Sequence, residues 1–285
     1  MELKILGPVE MRNIQGELEH SFLAGPKRLA LLVYLLLHKP HGFHRRDSLL
    51  PVFWPDQSQK SARNSLSNML YHIRKTLGTD VIENRGAEEI AINPQLFWCD
   101  AVAFEKAVKE KDYETAFDLY RSGLLKGFHV QEASIELDHW LEQERKRFHN
   151  LAIESCIGLA EKYFREGDIN SSGTFIKRAA SLDPYSEPLH IKLISFLNNI
   201  GDQQAALDLY ETYSHLIHRE FGDEPDKHLK TLAGELKMGI KSPPQLPLSK
   251  FKTEEKRLEP SIAVLPFETL GVEKASSFTD AIHSD

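Results

Sequence analysis

Residues 57–79 read QSQKSARNSLSNMLYHIRKTLGT, and they hold no acidic residue although the chain carries a formal net charge of -7. Asp56 and Asp80 stand just outside, so the carboxylates stop at the two edges of the stretch. Ala62, Leu66, Met69, Leu70, Ile73 and Leu77 follow the i, i+3, i+4, i+7 spacing of a helix with one buried face, and Gly78 is placed to end it. The opposite face carries Asn64, Ser67, Asn68, Tyr71 and Lys75, flanked by Arg63, His72 and Arg74. These are cations, amides and hydroxyls, the groups that meet phosphates and base edges. A helix with a merely solvated basic face has the same pattern, so the surrounding sequence has to separate the two.

Length and composition narrow the choice. The 285 residues, 41% of them hydrophobic, suffice for about two domains with real cores. Cys99 and Cys156 lie far apart with no CxxC, which points to neither a disulfide framework nor a zinc cluster but to ordinary thiols of a reducing compartment. The amino terminus, MELKILGPVEMRN, lacks the apolar centre of a signal peptide, and the longest apolar run, LALLVYLLL at 29–37, is too short to span a bilayer. The expectation is a cytoplasmic protein with no membrane partner. Charge is uneven: residues 1–98 hold 12 Lys and Arg against 10 Asp and Glu, a net +2, whereas 99–240 hold 17 against 25, a net -8. A polyanionic partner would meet the first third.

Around the opening stretch, the first third reads as strands, then helices, then strands. LKILGPVEMRN alternates weakly around Gly7-Pro8, as an edge hairpin does. A first helix is expected from about Pro26 to Leu37, opened by Gly25-Pro26 and closed near Pro40. A second, RRDSLLPVFW, offers Leu49, Leu50, Phe53 and Trp54 to a core before Pro55 stops it. The helix at 61–77 is third, and VIENRGAEEIAINP follows as a two-strand ribbon turning at Arg85-Gly86. Three helices and a ribbon are the order of a winged helix, whose third helix enters the DNA major groove.

These segments, GPKRLALLVYLLLH, HRRDSLLPVFWPD and SARNSLSNMLYHIRKTLG, resemble in order and spacing the winged helix of the SARP-type bacterial transcriptional activators, itself similar to the DNA-binding domain of response regulators. The resemblance makes the third helix the recognition helix and implies base or phosphate contacts from Asn64, Ser67, Tyr71, His72 and Arg74. Arg63, Asn68 and Lys75 share that surface. It further implies phosphate contacts from Arg45 at the start of the second helix and from Trp54 at its end, although Trp54 sits equally well at core spacing with Leu50. The wing departs from the family. Where a Gly-Tyr-Arg motif is usual this chain has GAEEIAI, with Glu88 and Glu89 near the phosphate path, which leaves Asn84 and Arg85 as the wing's contacts.

The middle of the chain is a helical repeat. Gly167-Asp168 and Gly201-Asp202 are 34 residues apart, the tetratricopeptide period. CIGLAEKYFREGD precedes SSGTFIKRAASLDP, and LHIKLISFLNNIGD precedes QQAALDLYETYSHLI, each pair a helix, a Gly-Asp turn and a second helix. YETAFDLYRSGLL, at 113–125, echoes the last of these as an earlier second helix. Ala116, Ala179 and Ala206 mark close helix crossings, with Tyr120 and Tyr210 filling the gaps. From about Asp100 to Lys237 the chain resembles the bacterial transcriptional activation domain, which in SARP activators follows the winged helix directly. That likeness implies a homodimer, a regulatory role and contact with RNA polymerase.

Residues 242–260, SPPQLPLSKFKTEEKRLEP, read as a linker. SIAVLPFETLG at 261–271 resembles the opening of TolB-like domains of longer regulators, so the chain reads as cut short within a further domain. The division expected is therefore 1–98 winged helix, 99–240 activation domain, 241–260 linker and 261–285 the start of a third domain.

Catalysis finds no foothold: the phosphate-cradling GxxxxGK[ST], the nucleophile elbow GxSxG and the dinucleotide GxGxxG are all absent. His38, His41 and His44 recur every three residues, but the run crosses a Pro-Gly loop that fixes no ligand geometry, so solvated or DNA-proximal loop histidines are expected rather than a metal site. Neither a cofactor nor a catalytic residue is expected. The fold expected is mainly α, a winged helix-turn-helix followed by a tetratricopeptide-like helical domain. The function expected is sequence-specific regulation of transcription on double-stranded DNA; the alternative is a repeat-type interaction scaffold or signalling adaptor whose winged helix makes protein contacts.

Overall fold

The computed structural model describes residues 1–130 and 133–238; the expected linker and third-domain opening lie outside them. β1 (Glu2–Lys4) and β2 (Glu10–Arg12) form the expected hairpin, Leu3 facing Met11. The short helix α1 (His20–Leu23) leads to α2 (Pro26–Leu37), which starts with Pro at its first position and is buried from Leu29 to Leu35 and at Leu37. β3 (His44–Arg45) opens α3 (Arg46–Phe53), and α4 (Gln59–Leu77) follows. The Ser58 hydroxyl caps α4 by accepting from the Ser61 N–H, and Gly78 ends it at φ 103°, a conformation that a side chain would disfavour. β4 (Ile82–Arg85) and β5 (Glu89–Ile92) make the wing, with β3 on the other side of β5. β6 (Trp98–Cys99) then returns to pair in parallel with β1.

Seven helices complete the described chain: α5 (Asp100–Glu110), α6 (Tyr113–Leu119), α7 (Ile135–Arg165), α8 (Ile169–Leu182), α9 (Glu187–Asn199), α10 (Gln203–Phe221) and α11 (Lys227–Lys237). The fold is mainly α, a winged helix followed by helical repeats. The Gly-Asp turns work as the 34-residue period requires. Gly167 and Gly201 adopt φ 85° and 87°, and Asp168 and Asp202 cap the helices that follow by accepting from the N–H groups of Ser171 and Ala205. Lys111-Asp112 is a third copy of the device, with Lys111 at φ 61° in the glycine's place and Asp112 capping at Thr115. Ala116, Ala179 and Ala206 are fully buried, as close crossings demand.

One expectation fails at α6. A helix was expected to continue to Leu125, but it stops at Leu119, and the N–H groups of Arg121, Ser122 and Leu125 donate to the carbonyls of Leu6 and Ile5 instead. The carbonyls just beyond β1 thus take the bonds that a continued helix would have made within itself.

Those bonds belong to a junction that joins the two halves. A single buried apolar cluster runs from Leu3 to Ala152, across the 98/99 division, and a second runs from Cys156 to Leu236 within the repeats. The Asp100 carboxylate, 2% exposed, accepts from the N–H of Ile5 at 2.8 Å and of Leu6 at 3.0 Å. Trp140 of α7 packs on Tyr34 of α2 with ring centroids 4.6 Å apart. Beside them Glu105 of α5 holds Lys39 at 2.8 Å and Arg147 of α7 at 2.8 Å. No helix among the described residues is long and apolar enough to cross a membrane.

Candidate nucleic-acid interface

α4 separates its two faces as its periodicity requires. Ala62, Leu66, Leu70, Ile73 and Leu77 are buried in the core, with Met69 half-buried against it. Arg63, Asn64, Ser67, Asn68, Tyr71, His72 and Lys75 are exposed, and Arg74 is half-buried near the wing. Tyr71 is 61% exposed, its ring edge against His72 at 5.6 Å.

The neighbouring elements modify this face. Asp47 of α3 reaches Arg63 through two hydrogen bonds, 2.9 Å to Nε and 2.6 Å to Nη2. That pairing holds the Asp47 carboxyl below and the Arg63 guanidinium above their ordinary ranges. Arg63 is therefore already engaged by a carboxylate from 16 residues earlier in the chain. Arg45 is exposed at the start of α3. On the wing, Arg85 pairs with Glu89 at 2.5 Å and lies over the Phe43 ring at 4.5 Å, so the acidic departure in the wing takes up its own arginine.

One sequence-based expectation is corrected and one choice is narrowed. Trp54 takes the core place that its spacing with Leu50 offers: it is 7% exposed and packs against Phe53, with the Lys27 ammonium 5.4 Å above its ring. His44, expected in a solvated loop, is also 7% exposed. β3 draws its backbone into the sheet opposite Ile90, and Tyr34 and His38 close over the ring. Burial pushes both the His38 and the His44 imidazole below the usual range. Among the described residues no group of three or more histidine, cysteine or acidic side chains could hold a metal ion.

Asn84 and Arg74 meet, together with a residue that periodicity did not single out. The Asn84 side-chain oxygen accepts from Arg74 Nη2 at 3.1 Å and from Arg46 Nη2 at 2.9 Å. Nothing in the sequence separates Arg46 from Arg45 beside it at the helix start, because both are arginines with no local period to tell them apart.

Residues 99–237 match the family model of the bacterial transcriptional activator domain. Among solved structures, the fold is similar to that of Mycobacterium tuberculosis EmbR in complex with a low affinity phosphopeptide, with a TM-score of 0.55 and 20% sequence identity. The likeness covers 83% of this chain and 65% of that one, so the chain spans about two thirds of the length of the structure it matches. No curated protein matches the sequence.

Proposed function

With a bacterial transcriptional activator domain at residues 99–237 carried directly behind a winged helix, we propose that this chain is a sequence-specific DNA-binding transcriptional activator of the SARP type. The observation that carries this reading is α4: its inward face is core, while its outward face offers Asn64, Ser67, Asn68, Tyr71, His72 and Lys75 to solvent without one carboxylate of its own. Docked in the major groove, the amides and the tyrosine reach base edges, and Arg45, Arg74 and Lys75 reach phosphates. Arg63 joins them to the extent that phosphate displaces Asp47. Asn84 holds the wing to the recognition helix, and Arg85 contacts the backbone once released from Glu89. The repeats support pairing of two copies on adjacent half-sites and offer a surface to RNA polymerase. The setting is the cytoplasm, and no cofactor or catalytic step is involved.

The test is selection of bound sequences from random duplexes, followed by binding titrations at several salt concentrations. The parent should show a steep fall of affinity with salt, because each neutralised phosphate releases counterions. Tyr71→Glu returns a carboxylate to the cleared face and should abolish duplex binding in a protein that melts like the parent. Tight binding by that variant would overturn the docking of α4 and turn attention to the scaffold reading.

A further inference from the structure

Arg46 and Arg74 hold an arrangement that the free protein does little to stabilise. Both guanidiniums donate to one neutral oxygen, Asn84 Oδ1, and among the described residues neither forms an ion pair. Arginine does not shed its proton, so both charges are permanent. Arg46 Nε is covered from solvent and has no hydrogen-bond partner, so desolvation of this side chain is incompletely offset. Glu88, whose backbone carbonyl accepts from the Arg46 N–H, acts on the guanidinium only through space. Burial, followed by the like charge of Arg74, disfavours the Arg46 cation.

Three elements converge there: the first residue of α3, the last turn of α4 and the end of wing strand β4. The C-terminal end of a helix attracts cations, which accounts for Arg74 but not for a second guanidinium brought beside it. We propose that Arg46, Arg74 and Asn84 form an oxyanion pocket that takes a phosphate group, and that the docked ligand is a backbone phosphodiester lying between the recognition helix and the wing. A phosphate's oxygens accept from both guanidinium forks at once, as paired arginines favour. Asn84 is then a positioning residue, the neutral spacer that keeps the two forks together while leaving their charge unspent. The inference rests on the reading of the winged helix as a DNA-binding domain; free inorganic phosphate shares the chemistry and is the other source to be separated.

Asn84→Asp tests this in the full chain, because it places a carboxylate where the pocket needs an anion. The variant should melt at or above the parent's temperature while its duplex affinity falls at least about 10-fold at low salt, with a salt dependence shallower by about one to two units. Arg46→Gln should flatten the same plot by about one unit, and it decides the matter alone if Asn84→Asp does not fold. Parent-like affinity and salt slope in the folded variant would overturn the pocket and leave the DNA-binding reading intact. If the parent itself binds no duplex, that reading fails, and the thermal midpoint in inorganic phosphate against chloride at equal ionic strength becomes the test. A rise in the parent that Asn84→Asp lacks would keep the pocket as a site for free phosphate; no rise would remove it as well.

Discussion

At the scale of single residues, one conformational strain and one buried acceptor give sharp expectations. Lys111 occupies the left-handed position that Gly167 and Gly201 fill in the two later turns. An L-residue there is disfavoured by about 1–2 kcal/mol, and glycine's greater freedom in the unfolded chain offsets part of that. Lys111→Gly should therefore raise stability by up to about 1 kcal/mol in chemical denaturation, and a destabilised variant would show that the lysine stem makes compensating contacts. Asp100 carries a different role. Its carboxylate accepts from two backbone N–H groups just beyond β1, and Asp100→Asn turns one of its two acceptor oxygens into a donor facing donors. The loss should be about 1–3 kcal/mol with no change in the salt dependence of duplex binding. A variant as stable as the parent would mean that one side-chain oxygen suffices for both bonds.

At the scale of the element, α4 should be separable into a stability face and a binding face. Leu66→Ala or Ile73→Ala removes a fully buried side chain and should lower stability by about 2–5 kcal/mol, with duplex binding lost only as the protein unfolds. Asn64→Ala or Tyr71→Ala touches no core. Each should weaken binding to a selected site by about 1–3 kcal/mol and leave the thermal transition nearly unmoved. Thermal melts and titrations on the same preparations check both halves of this statement, and a binding defect that always tracked the melting temperature would sink it. Arg63 is the informative exception: its pair with Asp47 is open to solvent, so Arg63→Ala should leave the thermal transition nearly unmoved while it frees a carboxylate beside the binding face and weakens binding by more than the loss of one cation.

At the scale of the molecule, the junction between winged helix and repeats should respond to acid. His38 and His44 lie in it with Tyr34, Phe53 and Trp140, near Glu144 and His41, and the Glu105 carboxylate joins Lys39, His41 and Arg147. Burial holds both imidazoles below their ordinary range, partly opposed for His38 by Glu144 and for His44 by a hydrogen bond with the Leu35 backbone. The unfolded chain then binds more protons than the folded one below about pH 6.5, so stability is fully present above that value and is lost as pH falls toward the folded values. Glu105 adds to the loss further down. Burial raises its carboxyl, yet the Lys39 and Arg147 contacts outweigh that and hold it below the usual range, so its contribution disappears only as the carboxyl is protonated. Denaturant midpoints from pH 8 to pH 5 should decline, and His38→Phe, which keeps a ring against Tyr34 without titrating, should flatten the upper part of the decline. An unchanged slope in that variant would place the acid sensitivity elsewhere.

Much of this protein is written locally. The buried stripe of α4, the proline opening α2, the serine cap and closing glycine of α4, and the paired Gly-Asp turns of the repeats all appear in the sequence, because helix periodicity and capping join residues no more than a few positions apart. The carboxylate-free outward surface of α4 is legible for the same reason. Tertiary structure alone settles which of those charges stay available. Asp47 reaches Arg63 across 16 residues, Arg46 reaches Asn84 across 38, and Asp100 reaches Ile5 across 95. It alone buries Trp54 and His44, shortens α6, and runs one core through both halves of the chain. Such pairings depend on how twisted strands and packed helices bring distant segments together, and no local period records that.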